Sequence, residues 1–454
     1  MRKIILLSAV TVMLSSCGIY NKYKSVSEVP EGLYGSESVA ATDTTNFGNL
    51  SWREVFTDPH LQVLIDSVLV KNTDMQTAHL RVKEAEASLM TAKLSYLPSL
   101  FLSPEGTASS FDKGKATQTY SLPVTASWEL DIFGRTTNTK RSAKAAYQQS
   151  KEYEQAVKTQ LVSAVANNYY TLLMLDAQYD IAVATEKAWQ ETVRASRAMK
   201  KAGMMNEAGL AQTEANYYTI RTTVLDLKEQ INQVENSMSL LLAEVPHTVQ
   251  RGKLNNQQLP ENFSIGVPLQ MLSNRPDVRS AEYSLAQAFY STNSARASFY
   301  PSITLSGSAG WTNNAGSMIL NPGKFLASAV ASLTQPLFNK GTNIARLKIA
   351  KAQQEEARLN FEQTLLNAGV EVNEALVQYQ TAREKAAFYE KQVASLQTAV
   401  KSTNLLMKHS DITYLEVLTA QQTLLNAQLS QVANRFTEIQ GMITLYQSLG
   451  GGRM

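Results

Sequence analysis

From Thr136 to Ala202 the chain contains neither glycine nor proline. A straight α-helix of that stretch is about 100 Å long at 1.5 Å per residue, and no compact domain holds such an element. The residues that follow, Leu210, Thr213, Tyr217, Ile220, Val224, Leu227, Ile231, Val234, Met238, Leu241 and Val245, alternate spacings of three and four. This is the heptad pattern of a coiled-coil seam. The spacing predicts a very long antiparallel helical hairpin that turns near residues 203–209. A second hairpin follows the same plan. Val393, Leu396, Val400, Thr403 and Met407 lead into a turn near residues 408–414, and Leu418, Gln422, Leu425, Leu429, Val432, Phe436, Ile439, Ile443 and Tyr446 lead back. Composition agrees: 21 Gly and 12 Pro in 454 residues fall well below the roughly 12% of average usage. Such apolar stripes are packing and receive no further role.

The chain repeats itself at an offset of about 205 residues, which has to be settled before the fold. Tyr96-Leu97-Pro98-Ser99 matches Phe299-Tyr300-Pro301-Ser302, and Ile132-Phe133-Gly134-Arg135 matches Leu337-Phe338-Asn339-Lys340. Val165 and Asn168 match Val370 and Asn373, and Met199-Lys200 matches Met407-Lys408. Each copy reads helix, two strands, long helix, turn, long helix. The expected division is a leader over 1–16, an extended tail over 17–49, a first repeat over 50–245, a connector over 246–268 and a second repeat over 269–454. The connector holds three Pro and two Gly, which break regular elements.

The strands alternate. Tyr120, Leu122, Val124, Ala126, Trp128 and Leu130 share one face, opposite Thr119, Ser121, Thr125, Ser127 and Glu129. Ile303, Leu305, Ala309 and Trp311 oppose Thr304, Ser306, Ser308 and Thr312, while Phe325, Ala327, Ala329, Ala331 and Leu333 line one side of a further strand. A partner near Leu100–Ala108 is interrupted by Pro104 and Gly106. Roughly ten residues of such alternation is the signature of a transmembrane β-strand, and a half-buried strand of a soluble sandwich shows the same period. One chain offers four strands, whereas the smallest membrane barrels need eight. Lipid tolerates no open strand edge, so strands that enter a bilayer must close a barrel shared between chains.

The first seventeen residues read as an address. Arg2 and Lys3 precede an apolar run from Ile4 to Met13. That run is too short to span a bilayer and fits a secretory leader. The Leu14-Ser15-Ser16-Cys17 ending, followed by Gly18, resembles a bacterial lipobox, which would make Cys17 the lipidated first residue of the mature protein. The other reading is an ordinary leader with an incidental cysteine. Cys17 is the one cysteine in the chain, so no intrachain disulfide and no Cys-rich zinc site can form. The net charge of +3 points to no nucleic-acid partner. The four histidines, His60, His79, His247 and His409, show no metal-ligand spacing. There is no phosphate-binding Gly loop and no nucleophile elbow.

Several motifs, in order, carry a family resemblance. They are Trp52, Phe56, Asp58-Pro59 and Leu61, then Asn72, Asp74, Ala78, Arg81-Val82 and Ala85, then the run Trp128-Glu129-Leu130-Asp131-Ile132-Phe133-Gly134-Arg135. Arg275-Pro276-Asp277-Val278-Arg279, Ala281-Glu282 and the run from Ala295 to Ser302 form the most specific block, and the run from Leu445 to Gly452 closes the chain. Over nearly the whole mature length the sequence resembles the TolC/OprM family of outer-membrane efflux proteins, in the lipoprotein branch. The resemblance implies a mixed α and β membrane protein. Four strands per chain contribute to a trimeric twelve-strand outer-membrane barrel above a long periplasmic coiled-coil tunnel. It implies a homotrimer among outer-membrane lipids, a periplasmic adaptor and an inner-membrane pump of the resistance-nodulation-division type. It implies no catalysis and no cofactor beyond the covalent lipid on Cys17. The cargo would be small toxic molecules. A duct for peptide or protein export by an ATP-driven transporter stays open, as does a non-conducting lipid-anchored periplasmic coiled-coil scaffold.

In a duct the chemistry is selectivity and gating by rings of side chains. The family places polar and acidic constricting residues at the hairpin tips. Matched to that pattern, Glu416 takes the first acidic position, Thr419 stands where a second acid is usual, and Gly209 stands at another usually acidic position. Asp411 and Glu207 are nearby acids. Met407, where an aromatic residue is often found, and Lys408 are candidates to hold the closed state. The tip residues Gly203, Met204, Met205 and Asn206, with His409 and Ser410, are expected adaptor contacts. Arg275-Pro276-Asp277 reads as a structural helix start, and Trp128 and Trp311 suit the interfacial belts of a barrel.

Overall fold

The structure, a computed structural model, describes residues 22–25, 33, 47–110, 112–258, 274–313, 324–408 and 414–453. Cys17, His409, Ser410 and Asp411, most of the expected tail and the second half of the connector lie outside the described residues, as does the side chain of Lys408. The helices are α1 (Trp52–Val55), α2 (Pro59–Lys71), α3 (Thr73–Leu94), α4 (Arg135–Lys201), α5 (Glu207–Leu241), α6 (Pro276–Ala297), α7 (Thr342–Lys408) and α8 (Tyr414–Ser448). The strands are β1 (Ser99–Leu102), β2 (Glu105–Ser109), β3 (Thr117–Leu130), β4 (Ser302–Asn313) and β5 (Lys324–Thr334). Helices α4 and α7 each have 67 residues, and α5 and α8 each have 35. The chain forms two compact units, and each draws segments from both halves of the sequence.

One unit contains the sheet, with Leu80–Glu152 and Ser280–Gln363. Its strands run antiparallel in the order β1, β3, β4, β5, and β2 also pairs with β3. Pro104 splits the first lane into β1 and β2. The lane stays continuous because the Ser103 amide donates to the Pro123 carbonyl at 3.1 Å. The sheet therefore has four lanes. Register brings the apolar residues into rows: Leu100 pairs with Ala126, Leu122 with Trp311, Trp128 with Leu305, and Trp311 with Phe325. Leu100, Leu122, Val124, Trp128, Leu305, Trp311, Phe325 and Leu333 are all exposed. A strand face this apolar and this exposed is what lipid contact requires. The opposite face is mostly serine and threonine, with Ser308 hydrogen-bonded to Ser328 at 2.8 Å.

The run from Trp128 to Arg135 turns the chain from β3 into α4. The Asp131 carboxylate accepts from the amides of Thr136 and Thr137 at 2.8 and 2.7 Å and from the Thr137 hydroxyl at 2.6 Å. It thereby satisfies donors that the first helical turn leaves open. Glu129 pairs with Arg135, and Phe133 stacks on Tyr300 with 5.0 Å between ring centroids. In the same unit Ala145 of α4, Leu285 and Ala286 of α6 and Ala350 of α7 are buried. The Thr292 hydroxyl donates to the Ala350 carbonyl at 3.0 Å.

The other unit contains Ser27–His79, Tyr153–Arg279 and Thr364–Met454. The first hairpin closes along the expected seam. Leu175, Ala182 and Leu227 are buried, with Val224, Ile231 and Val234 packed against them. A second cluster joins the two hairpins: Trp189 of α4, Ile220 of α5, and Leu418 and Leu425 of α8. The expected seam overruns the helix. Helix α5 ends at Leu241, and Val245 stands exposed beyond it. Residues Phe47–Asn49, expected in an extended tail, form a turn of 3-10 helix packed on α8, with Phe47 edge-on to Tyr446 at 5.4 Å.

Buried polar groups fasten this unit. Arg275 donates to the Ser448 carbonyl at 2.9 Å, to Asp277 at 2.6 Å and to Glu371 at 2.7 Å. The connector docks through Arg251, which holds Asp176 at 2.6 and 2.9 Å and Glu235 at 2.6 Å. Asp58 caps α2 and accepts from the Tyr169 hydroxyl at 2.7 Å and Gln257 at 2.8 Å. The C-terminal Gly451 and Gly452 carbonyls accept from Thr159 and Gln155 at 2.8 and 3.0 Å.

Candidate functional site

The hairpin tips are where the sequence concentrates its candidate residues. Helix α4 ends with Lys200 and Lys201, cations suited to the negative end of the helix dipole. The Gly203 amide returns to the Lys200 carbonyl at 3.0 Å, and the Met204 amide to the Met199 carbonyl at 2.9 Å. This pair of bonds is the Schellman closure, which needs a left-handed residue after the cap. Gly203 supplies it with φ +74°. Asn206 then starts α5 as its N-cap, its side chain accepting from the Gly209 amide at 2.8 Å. Gly209 therefore serves a helix start and brings no charge to the tip. The tip is laced by ion pairs between Lys200 and Glu207 and between Arg197 and Glu214, the latter at 2.8 Å. Pairs this exposed contribute little stability. Met204 projects into solvent and Met205 is half-buried.

At the second tip, Met407 is half-buried in the last turn of α7. Glu416 is exposed in the first turn of α8, next to the buried Val417 and Leu418. Leu418 packs towards the first hairpin through Trp189 and Ile220. Glu416 precedes it by two residues, so it lies on a different face of the helix. Thr419 is exposed and bonds its hydroxyl back to the Leu415 carbonyl at 2.9 Å.

Sequence reasoning passed over a groove of about 430 Å³ between the arms of the first hairpin, whose walls include Arg194, Arg197 and Lys201 of α4 and Tyr217 and Tyr218 of α5. Its signal was present in the spacing, because residues 194, 197 and 201 fall three and four apart, on one helix face. The described histidines, His60, His79 and His247, are dispersed. His79 contacts Glu154 at 3.0 Å and His247 contacts Ser239 at 3.3 Å. Among the described residues no group of three His, Cys, Asp or Glu side chains is placed to hold a metal ion. No described helix is long and apolar enough to cross a membrane.

Trp128 and Trp311 lie towards opposite ends of the apolar face. Trp128 pairs with Leu305 and Trp311 lies six residues further along the same strand, about 20 Å at the rise of a β-strand. That separation approaches the height of a barrel's lipid band, which aromatic girdles bound. The indole of Trp128 donates to the Tyr96 carbonyl at 2.8 Å.

The family model described as outer membrane efflux protein matches residues 64–244 and 267–451. The chain is similar to "Cation efflux system protein CusC" of Escherichia coli strain K12, 29% identical over 98% of each chain. It is 27% identical to "Probable outer membrane lipoprotein SilC" of Salmonella typhimurium, over 99% of this chain and 98% of the relative. A solved structure of CusC superposes with a TM-score of 0.87 at 28% identity, over 96% of this chain and all of that one. Four strand lanes per chain, an exposed apolar face and paired helical hairpins are the parts such a channel needs. The protein is an outer-membrane exit duct, a homotrimer that works with a periplasmic adaptor and an inner-membrane pump. The chain belongs to the outer membrane efflux protein family.

Proposed function

We propose that this duct expels small toxic cations for a proton-driven pump, that it performs no catalysis itself, and that it is held by lipid on Cys17. The observation that carries the cargo reading is near full-length similarity to a relative named for cation efflux. The exposed acid at the start of α8 supports it: three-fold symmetry turns Glu416 into a ring, and an acidic ring attracts cations and repels anions. Like charges in a ring also repel one another, so Met407 and Lys408 are assigned the contacts that hold the closed aperture, with Asp411 as a further acid. The turn Gly203–Asn206, with His409 and Ser410, receives the adaptor.

Deleting the gene should sensitise cells to toxic metal cations and leave survival in aromatic solvents unchanged. The reverse pattern would overturn the cation reading in favour of organic cargo. Sensitivity to neither, with loss of a secreted peptide, would point to an ATP-driven exporter. Mass spectrometry of the mature N-terminus should find an acylated Cys17. An unmodified Cys17, or cleavage elsewhere, would remove the anchor.

A further inference from the structure

The two longest helices are one-sided in charge where they leave the sheet. Over the whole chain 42 Lys and Arg stand against 39 Asp and Glu. The start of α4, from Arg135 to Lys151, holds five cations and no acid, and the start of α7, from Thr342 to Gln354, holds three cations and no acid. Acids return at Glu152 and Glu355. Helix stability does not explain this, because the first turn of a helix favours anions and neither first turn carries one. Arg141 and Lys144 are exposed, and among the described residues neither has an ion-pair partner.

These two cations border a cavity. Arg141 and Lys144 of α4 and Tyr283 and Tyr290 of α6 line a space of about 520 Å³, and Tyr23 and Ser25 of the N-terminal tail close one side of it. Tyr23 sits edge-on to Phe289 at 5.6 Å and donates to the Glu282 carbonyl at 3.4 Å. Ser25 donates to the Glu282 carboxylate, the one acid of the lining. Lys22 and Lys24 flank Tyr23, are exposed, and also have no ion-pair partner among the described residues. Two cations of the lining and two of the adjoining tail therefore stand against one carboxylate. The backbone sets the depth of this site. Arg141 and Lys144 lie six and nine residues into α4, about 9 and 14 Å from its start. The headgroup layer of a bilayer is roughly 5–8 Å deep on each side, and the long stems of Lys and Arg reach back to it.

We propose that this cavity binds the phosphodiester headgroup of an anionic phospholipid in the periplasmic leaflet of the outer membrane. Arg141 and Lys144 hold the phosphate, Lys22 and Lys24 add positive charge beside it, and Tyr283 and Tyr290 supply rings with one apolar and one polar end, suited to the membrane interface. Tyr23 follows Cys17 by six residues, at most about 22 Å of chain, so acyl chains on Cys17 keep the cavity beside the leaflet they enter. Lipid on Cys17 and a basic patch then act as two anchors, the combination that durable attachment requires. The position of the tail rests on the acylation of Cys17, whereas the cations of α4 do not, and the site is independent of cargo and gate.

Lipid retention by the purified full-length trimer tests it. Trimer stripped of lipid in detergent and offered equal amounts of phosphatidylglycerol and phosphatidylcholine should retain phosphatidylglycerol, read by native mass spectrometry, and should lose it as salt rises. Arg141→Gln/Lys144→Gln should cut that preference on the order of tenfold or more. Lys187→Gln/Lys228→Gln, which removes two exposed cations of the other unit, should keep it. Lys22→Gln/Lys24→Gln changes only exposed tail residues and should lower the preference even if the helix variant fails to assemble. Equal retention of the two lipids by wild-type trimer overturns the site, as does an unchanged preference in assembled Arg141→Gln/Lys144→Gln, or in Lys22→Gln/Lys24→Gln if that is the variant that assembles. A preference lost equally in Lys187→Gln/Lys228→Gln overturns its location. Retention of inorganic phosphate with no preference between the lipids overturns the phospholipid as the ligand. The intact mass of the same chain reports acylation of Cys17, so a missing tether and a missing site are separate results.

Discussion

Ala243 and Gly450 occupy the same position, the residue after the C-cap, in helices α5 and α8 that lie 207 residues apart (450 minus 243). Ala243 holds φ +55° and Gly450 φ +80°. Both close a Schellman turn: the Ala243 and Glu244 amides return to Leu240 and Ser239, and the Gly450 and Gly451 amides return to Gln447 and Tyr446. A left-handed alanine costs roughly 1–2 kcal/mol, partly offset by the larger unfolded-state entropy of glycine. Ala243→Gly should therefore stabilise the protein by about 0.5 kcal/mol and raise the thermal midpoint slightly. Gly450→Ala should do the opposite and more strongly, because its new Cβ would lie 2.7 Å from the Asn274 carbonyl. Equal midpoints for both variants and wild type would refute the assignment.

Asp58 supplies a pH dependence. Burial pushes its carboxyl up, but hydrogen bonds from Tyr169, Gln257 and the His60 amide outweigh it and hold the group below its ordinary value of 3.8. A depressed folded-state value contributes stability above the unfolded value and loses it as pH falls through the folded one. The wild-type midpoint should exceed that of Asp58→Asn at pH 7, and the gap should shrink below about pH 4. A gap that is constant from pH 7 to pH 3 would show that the carboxylate charge contributes nothing.

The charge of Glu416 is testable apart from its shape. In planar bilayers, Glu416→Gln should lower the preference for cations, with a change in permeability ratio on the order of twofold or more if three carboxylates line the aperture. Glu416→Ala should in addition change single-channel conductance. Unaltered conductance and selectivity in both variants would place the gate elsewhere.

Met204→Glu alters an exposed side chain that makes no cap. Stability should stay within about 0.5 kcal/mol of wild type, and the amount of trimer in the outer membrane should not change. Efflux, read as resistance of living cells, should fall if this turn receives an adaptor. Full resistance in the variant would remove Met204 from that contact.

The two hairpins were legible because few things interrupt a helix: the absence of Gly and Pro between Thr136 and Ala202 foretold α4 to within a residue at each end. The sheet was legible from alternation, except that Pro104 made the first lane look broken. Its continuity depends on a bond from Ser103 to Pro123, across two strands. Arg275 was legible as the start of a helix. Its grip on the Ser448 carbonyl, 173 residues away, was not, since no local pattern encodes a partner that distant. The seam ran on to Val245 because heptad spacing is blind to caps, and the turn at Ala243 ends the helix first. Among the tip residues, sequence spacing located the turn at Gly203, whereas the groove beside Arg197 needed the two arms side by side.

The equal lengths of α4 and α7, and of α5 and α8, limit how this protein can change over evolution. A single residue inserted into one long helix shifts everything beyond it by 1.5 Å and rotates it by about 100°, which turns seam residues outward. Only changes near seven residues keep the seam, and only matched changes in both halves keep the tips level. Any lineage with a wider or narrower periplasm would have to lengthen or shorten this duct in paired steps, twice per gene and six times per assembled ring.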